Sequence, residues 1–207
     1  HSDDKGLVLP PNLAPFQVVI VPIFKTDVEF EQISNLVTKI SEELKRSNVS
    51  VKFDNRTTYR PGAKFAQHEL QGVPLRIAIG PKDLENNTVE LSRRDDLSKS
   101  IIPVESIKDE IPQILEDIQQ SLYDKANDFR LEHTTEVNSF EEFKDILKNK
   151  GGFISAHWDG SAESENKIKE ITKATIRCIP LNIDKSEGKC VFSGKKSDQR
   201  VLFAKAY

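Results

Sequence analysis

Residues 16–23 read FQVVIVPI, a nearly unbroken run rich in β-branched residues. Its length and composition are those of a strand buried on both faces, inside a sheet that carries helices. Just downstream, Thr26 and Glu29 stand at capping-box spacing, and Ile33, Leu36, Val37, Ile40 and Leu44 follow at helical intervals. Residues 49–54 read as a second strand and a helical turn opens at Pro61. Residues 74–80 (PLRIAIG) form a third strand and residues 88–93 a fourth. Strand, helix, strand, helical turn, strand is an α/β alternation, and it predicts a mixed sheet flanked by helices.

Outward from this block the pattern changes. From Ser106, the residues Ile111, Ile114, Leu115, Ile118, Leu122, Ala126 and Phe129 mark one long amphipathic helix. Ser139 and Glu142 form a second capping box, opening a helix over 140–148 that ends at Gly151 and Gly152. Residues 153–158 and 175–180 read as strands around a charged helix at 162–172, and the pieces 189–192 and 201–204 complete a smaller α+β unit. Upstream, Pro10, Pro11 and Pro15 punctuate a stretch that would not fold alone and reads as the end of a preceding domain. The expected division is 1–15, then 16–105, a connecting helix at 106–135, and 136–207.

Composition excludes several classes of function. The chain has 207 residues, 37% hydrophobic and 30% charged, and no apolar run approaches the roughly 18 residues of a membrane helix. A net charge of −3 excludes a strongly basic nucleic-acid wrapper, so any RNA contact must come from a local patch. Cys178 and Cys190 are too few for a disulfide scaffold, and the first residues lack a signal peptide. Cytoplasmic location is the expectation. The absence of methionine, even at position 1, points to a piece of something longer.

No Walker loop, G-x-G-x-x-G, H-E-x-x-H or G-x-S-x-G is present, and the four histidines have no ligand spacing. The informative window is 52–76. There Lys52, Arg56, Arg60, Lys64 and Arg76 face only Asp54 and Glu69, with Phe53, Tyr59 and Phe65 interleaved. Cations that hold phosphates and aromatic faces that stack unpaired bases suit single-stranded RNA. A guanine edge offers two donors and one acceptor, which calls for a carboxylate beside an Arg or Lys. Glu69, Arg76 and Lys82 supply that set. The same window fits an ordinary solvated face with Phe53 and Phe65 in the core, and spacing alone favours the latter.

Longer motifs shift that balance. RPGAKFAQHELQGVPLRIAIGPKDL (60–84), with GLVLPPNLAP (6–15) and VVIVPIF (18–24) before it, resembles the anticodon-binding domain of prolyl-tRNA synthetase of the archaeal/eukaryote-like type. The resemblance continues through ATIRCIP (174–180) and GKCVFSG (188–194) to the terminal FAKAY, and covers essentially the whole chain. HSDDKGLVLPP (1–11) resembles the stretch after the third motif of a class II catalytic domain.

The resemblance implies a proline–tRNA ligase whose catalytic residues lie upstream, with ATP and magnesium as cofactors of the full enzyme and none in this stretch. Its implied partners are the anticodon stem-loop of the proline tRNA, the protein's own catalytic domain and a second subunit in a homodimer, with no membrane. Glu69, Arg76 and Lys82 would face the anticodon guanines. Phe65 or Phe24 would stack a splayed base, while Arg56, Arg60 and Lys64 would hold the backbone. The terminal Tyr207 would reach toward the catalytic site. In the second region, zinc-bearing relatives place cysteines where this chain has Asp159, Ser164, Cys190 and Ser193. One thiolate among hydroxyls makes a poor zinc site, so no structural zinc is expected and packing must take its place. Cys178 is expected as a core thiol. The alternative is a stand-alone RNA- or protein-binding module of the same fold.

Overall fold

The computed structural model describes residues 1–181 and 186–205, and the chain divides into two compact units, His1–Lys125 and Ala126–Tyr207. The first begins with a short antiparallel hairpin, β1 (Ser2–Asp3) and β2 (Gly6–Leu7). This hairpin is built against residues far downstream, with Asp3 on Arg94 and Gly6 against Leu70. The β-branched run is β3 (Val18–Pro22), buried at every position. It leads into α1 (Asp27–Arg46), whose capping box is formed as expected, with Thr26 Oγ1 accepting from the Glu29 amide and the Glu29 carboxylate accepting from the Thr26 amide.

β4 (Val51–Phe53), α2 (Pro61–Leu70), β5 (Leu75–Ile79), α3 (Pro81–Asn86) and β6 (Thr88–Arg93) follow, then β7 (Lys99–Pro103) and α4 (Ile107–Glu132). The sheet is mixed, in the order β4-β3-β5-β6-β7, with β3 parallel to β4 and β5 and the remaining pairs antiparallel. Alternation along β3 divides the core. Val18 and Ile20 meet Ile33, Val37, Ile40 and Leu44 of α1 and Ile107, Ile111 and Leu115 of α4. Val19 and Val21 face the other way, onto Val73 with Phe16 and Phe65.

In the second unit β8 (Thr134–Glu136), α5 (Phe140–Asn149), β9 (Phe153–His157), α6 (Ala162–Thr172) and β10 (Ala174–Cys178) come first. β11 (Gly188–Lys189), β12 (Lys196–Ser197) and β13 (Arg200–Lys205) complete it. The four-stranded sheet has the order β10-β13-β9-β8, and its core gathers Phe143, Ile154, Ile168, Val201 and Phe203. The strand expected at 189–192 is mostly a turn, closed by the Gly194 amide donating to the Cys190 carbonyl at 3.0 Å. Cys178 is exposed rather than a core thiol: it stays paired with Leu202, past a register shift after Ile176, but lies at the exposed end of the edge strand β10. No helix among the described residues is long and apolar enough to cross a membrane.

Candidate nucleic-acid interface

Helix α2 presents two neighbouring faces, each defined by an i, i+4 pair. Lys64 and His68 lie on one, and they close on Asp54 just beyond β4. Asp54 is 2% exposed. Its carboxylate accepts from Arg56 Nε and Nη2 at 2.7 and 2.6 Å, and His68 Nε2 lies 2.8 Å from it. Its carbonyl accepts from Lys64 Nζ at 2.9 Å. The Arg56 hydrogen bonds, with lesser help from His68 and Lys64, hold the Asp54 carboxyl well below the usual carboxylate range against the opposing effect of burial. The assignment of Lys64 to RNA backbone is corrected here. Its side chain is 1% exposed and its ammonium points inward to Asp54, so no phosphate can reach it. Arg56 is half committed as well, since Nη2 also donates to Gln67 at 2.8 Å. Arg60 stays exposed at the mouth of the helix.

Phe65 and Glu69 lie on the second face and line a pocket of about 320 Å³. Opposite them is the sheet. Strand register aligns Lys52, Val19, Arg76, Ser92 and Lys99 in one row across all five strands, so these residues share the α2 face. Arg76, Ser92 and Lys99 of that row line the pocket, with Arg93, Arg94 and Lys5 at its sides. Five cations therefore surround one carboxylate, Glu69, among the described lining residues. Arg93 and Arg94 are held closely by Asp95 and Asp3, whereas Arg76 and Lys99 lie 3.7 Å from Glu90 and Lys5 lies 3.6 Å from Glu69. The loosely paired Arg76, Lys99 and Lys5 are therefore the cations an anionic ligand such as a phosphodiester chain could draw on.

Arg76 is the centre of the pocket. Its side chain is 13% exposed, lies over the Phe65 ring and reaches Glu90 at only 3.7 Å. Its Nε is buried without a hydrogen-bond partner. Burial pushes the guanidinium pKa down, opposed by the charges of Glu90 and Glu69. A buried donor with nothing to bind is costly, and a ligand acceptor would satisfy it.

The sequence-derived candidates separate into two groups. Phe65, Glu69 and Arg76 are together. Lys82, exposed at the start of α3, and Phe24, packed on Phe30 at 4.6 Å between ring centroids, lie beyond the opposite end of the parallel strands. Four residues of extended chain, Arg76 to Gly80, put the start of α3 and with it Lys82 at least roughly 13 Å from Arg76, at the other end of β5. Both can serve one ligand only if it runs along the strands. Sequence reasoning missed Lys5, Arg93, Arg94 and Lys99. The Arg93-Arg94-Asp95-Asp96 run is a visible turn signal, whereas Lys99 enters only through strand register.

The second unit brings the four metal-like positions together. Asp159 accepts from the hydroxyls of Ser161 at 2.7 Å, Ser164 at 2.8 Å and Ser193 at 2.6 Å, and from the Ser161 amide at 3.0 Å. The Ser193 amide points at Cys190 Sγ, 3.5 Å away. The Asp159 carboxylate is spent on the serine hydroxyls, and one thiol and one carboxylate beside two hydroxyls do not make the four-ligand set of a structural zinc. Burial pushes the Asp159 carboxyl up, but the bonds from Ser193, Ser161 and Ser164 outweigh it and hold the group well below the usual range. Hydrogen bonding to Asp159 joins these segments in addition to packing, since Val191, Phe192 and Trp158 belong to the core of this unit. Tyr207 lies outside the described residues.

Comparison with known proteins locates both units. A family described as "Anticodon binding domain" matches residues 17–114, and one described as "Prolyl-tRNA synthetase, C-terminal" matches residues 140–207. The chain is 64% identical over 207 residues to a proline–tRNA ligase of Flavobacterium psychrophilum and 51% identical to one of Amoebophilus asiaticus. These alignments cover 100% of this chain, which spans 42% of the length of those relatives. A crystal structure of prolyl-tRNA synthetase from Cryptosporidium parvum, solved with L-proline and AMP, aligns with a TM-score of 0.87 at 36% identity, covering 100% of this chain and 44% of that one.

Proposed function

We propose that this chain, which belongs to the prolyl-tRNA synthetase family and corresponds to its C-terminal portion, reads the anticodon of the proline tRNA on behalf of a proline–tRNA ligase. One observation carries the reading: Glu69 and Arg76 line the same cation-rich pocket, with Phe65 between α2 and the sheet. The Glu69 carboxylate can accept the two N–H groups on the Watson–Crick edge of a guanine. Arg76, whose side chain lines the pocket and reaches Glu90 only at 3.7 Å, can turn its guanidinium to donate to that base's carbonyl oxygen. Arg60 at the mouth holds phosphates, and Lys82 with Phe24 serves a neighbouring nucleotide farther along the strands.

The same reading gives the full protein ATP and magnesium as cofactors, a homodimer as its assembly and the cytoplasm as its compartment. It leaves this portion with no cofactor and no catalytic residue of its own. Tyr207 would approach the catalytic site. A stand-alone binding module is disfavoured by relatives more than twice as long that carry the ligase name.

The test is kcat/KM of the full-length synthetase on proline-tRNA transcripts with the native anticodon and with the middle guanine replaced. Arg76→Ala should lose roughly 1–3 kcal/mol on the native transcript, the scale of one good bidentate base contact, and less on the replaced one. Arg60→Ala should weaken both equally. Equal losses for Arg76→Ala would make it a backbone contact and sink the base-reading role.

A further inference from the structure

The hairpin β1–β2 packs directly on the candidate pocket. Its Gly6, at φ +132°, lies so close to the end of α2 that a Cβ there would sit 2.6 Å from Leu70 Cα. Gly72, at φ +72°, would likewise place a Cβ 2.7 Å from the Leu7 backbone. Both positions need glycine because two backbones touch there. Two side chains of the hairpin then enter the site. The Asp3 carboxylate accepts from Arg94 Nη1 and Nη2 at 2.8 and 2.6 Å, and Lys5 Nζ lies 3.6 Å from Glu69 Oε1.

Arg94 joins these parts. It is 3% exposed, its amide donates to the Pro74 carbonyl at 2.9 Å, and its Nε donates to the Glu69 carbonyl at 3.0 Å. One residue thereby fixes the end of α2, the approach to β5 and the hairpin, through a planar fork that a lysine could not reproduce. Glu69, by contrast, has a side chain one-third exposed, and among the described residues Lys5 is the ion-pair partner of its carboxylate. Reading a base edge needs two acceptor oxygens held in the plane of the base, and a carboxylate free to rotate loses that geometry.

We propose that Arg94 is a positioning residue for the guanine pocket, holding through Asp3 a hairpin whose Lys5 orients the Glu69 carboxylate for base reading. This rests on the assignment of the pocket given above. The Lys5–Glu69 pair is solvent-exposed and adds little to stability, so its effect is on discrimination rather than on folding.

The test uses the full-length synthetase with Asp3→Asn, Lys5→Ala and Lys5→Arg. Asp3 and Lys5 have 43% and 56% exposed side chains, but Asp3→Asn also removes the counter-charge of the 3% exposed Arg94. The melting temperature of each variant is therefore read beside the ratio, and the comparison is made where the variants are folded. The readout is the ratio of kcat/KM on the native transcript to that on the transcript with the middle guanine replaced. Asp3→Asn and Lys5→Ala should each lower that ratio roughly three- to tenfold. The double variant should lower it no further, because both act on one path. Lys5→Arg should restore most of it. A discriminating wild type whose ratio is unchanged in Asp3→Asn and Lys5→Ala, or a Lys5→Arg ratio no better than that of Lys5→Ala, overturns this inference alone. A wild type that does not discriminate overturns the pocket assignment and this inference with it.

Discussion

The Arg76 guanidinium lies over the Phe65 ring, its central carbon 3.7 Å from the ring centroid. The ring face that could stack a base is already covered by a cation, and the ring also packs toward Val19, Val21 and Val73. Phe65 therefore orients Arg76 as well as filling space. Phe65→Leu, which keeps the apolar packing and removes the aromatic face, should cost about 1 kcal/mol in proline-tRNA binding to the full enzyme, near fivefold in Kd. Phe65→Tyr should bind like wild type. Leucine and tyrosine variants of equal affinity would remove the ring from the argument.

Asp54 predicts an acid-labile first unit. Its folded-state pKa is depressed, so its contribution to stability is complete above the unfolded value of about 4 and is lost as pH falls through the folded value. Asp54→Asn should destabilise by roughly 3–5 kcal/mol at pH 7, because it leaves Lys64 and Arg56 without their counter-charge. Urea unfolding at pH 7 and pH 3 should show the gap between variant and wild type narrowing at the lower pH. A constant gap would mean the carboxylate's charge is irrelevant.

Lys64 and Arg60 should separate cleanly in salt titrations of tRNA binding. Arg60→Ala should reduce the slope of log K against log salt by about 0.7 for a single-stranded contact. Lys64→Met should lower the melting temperature and leave that slope unchanged, since its ammonium is spent on Asp54. A reduced slope in Lys64→Met would restore it to the RNA-facing set.

The Asp159 knot predicts a second unit held without metal. Thermal unfolding should be insensitive to a strong chelator, and metal analysis should find less than one zinc per chain. Asp159→Ala should destabilise by roughly 1–3 kcal/mol by leaving the Ser164 and Ser193 hydroxyls without their acceptor. Chelator-induced loss of the second unfolding transition would contradict this.

How much of this was legible depends on the range of the interaction. Thr26 with Glu29 and Ser139 with Glu142 are three residues apart, so both capping boxes could be read directly and both are formed. The buried run at 18–22 and the mixed sheet were equally plain. Lys64 was misread because composition counts charge without direction. The i, i+4 spacing of Lys64 and His68, taken with Asp54, held the signal that they share an inner face. The row linking Arg76, Ser92 and Lys99 depends on register between strands, and β7 itself, reading KSIIP with one buried residue, carried no alternation to announce it. The opening hairpin pairs only two residues per strand, and its partners Leu70, Gly72 and Arg94 lie more than sixty residues on. The apolar Val191 and Phe192 suggested a strand where Cys190 and Gly194 close a turn.

The mixed order of the first sheet also bears on how the pocket assembles in time. β5, β6 and β7 are consecutive antiparallel partners, joined by the short helix α3 and by the turn before β7, whereas β3 must find β4 and β5 across the longer α1 and α2. Short loops close with less entropy lost, so the meander is the segment able to form earliest and the parallel half follows. Arg76, Arg93 and Lys99 travel with the meander, and Arg94 sits at its turn. Loop-closure entropy thus favours forming the cationic wall ahead of the docking of α2, which carries Phe65 and Glu69.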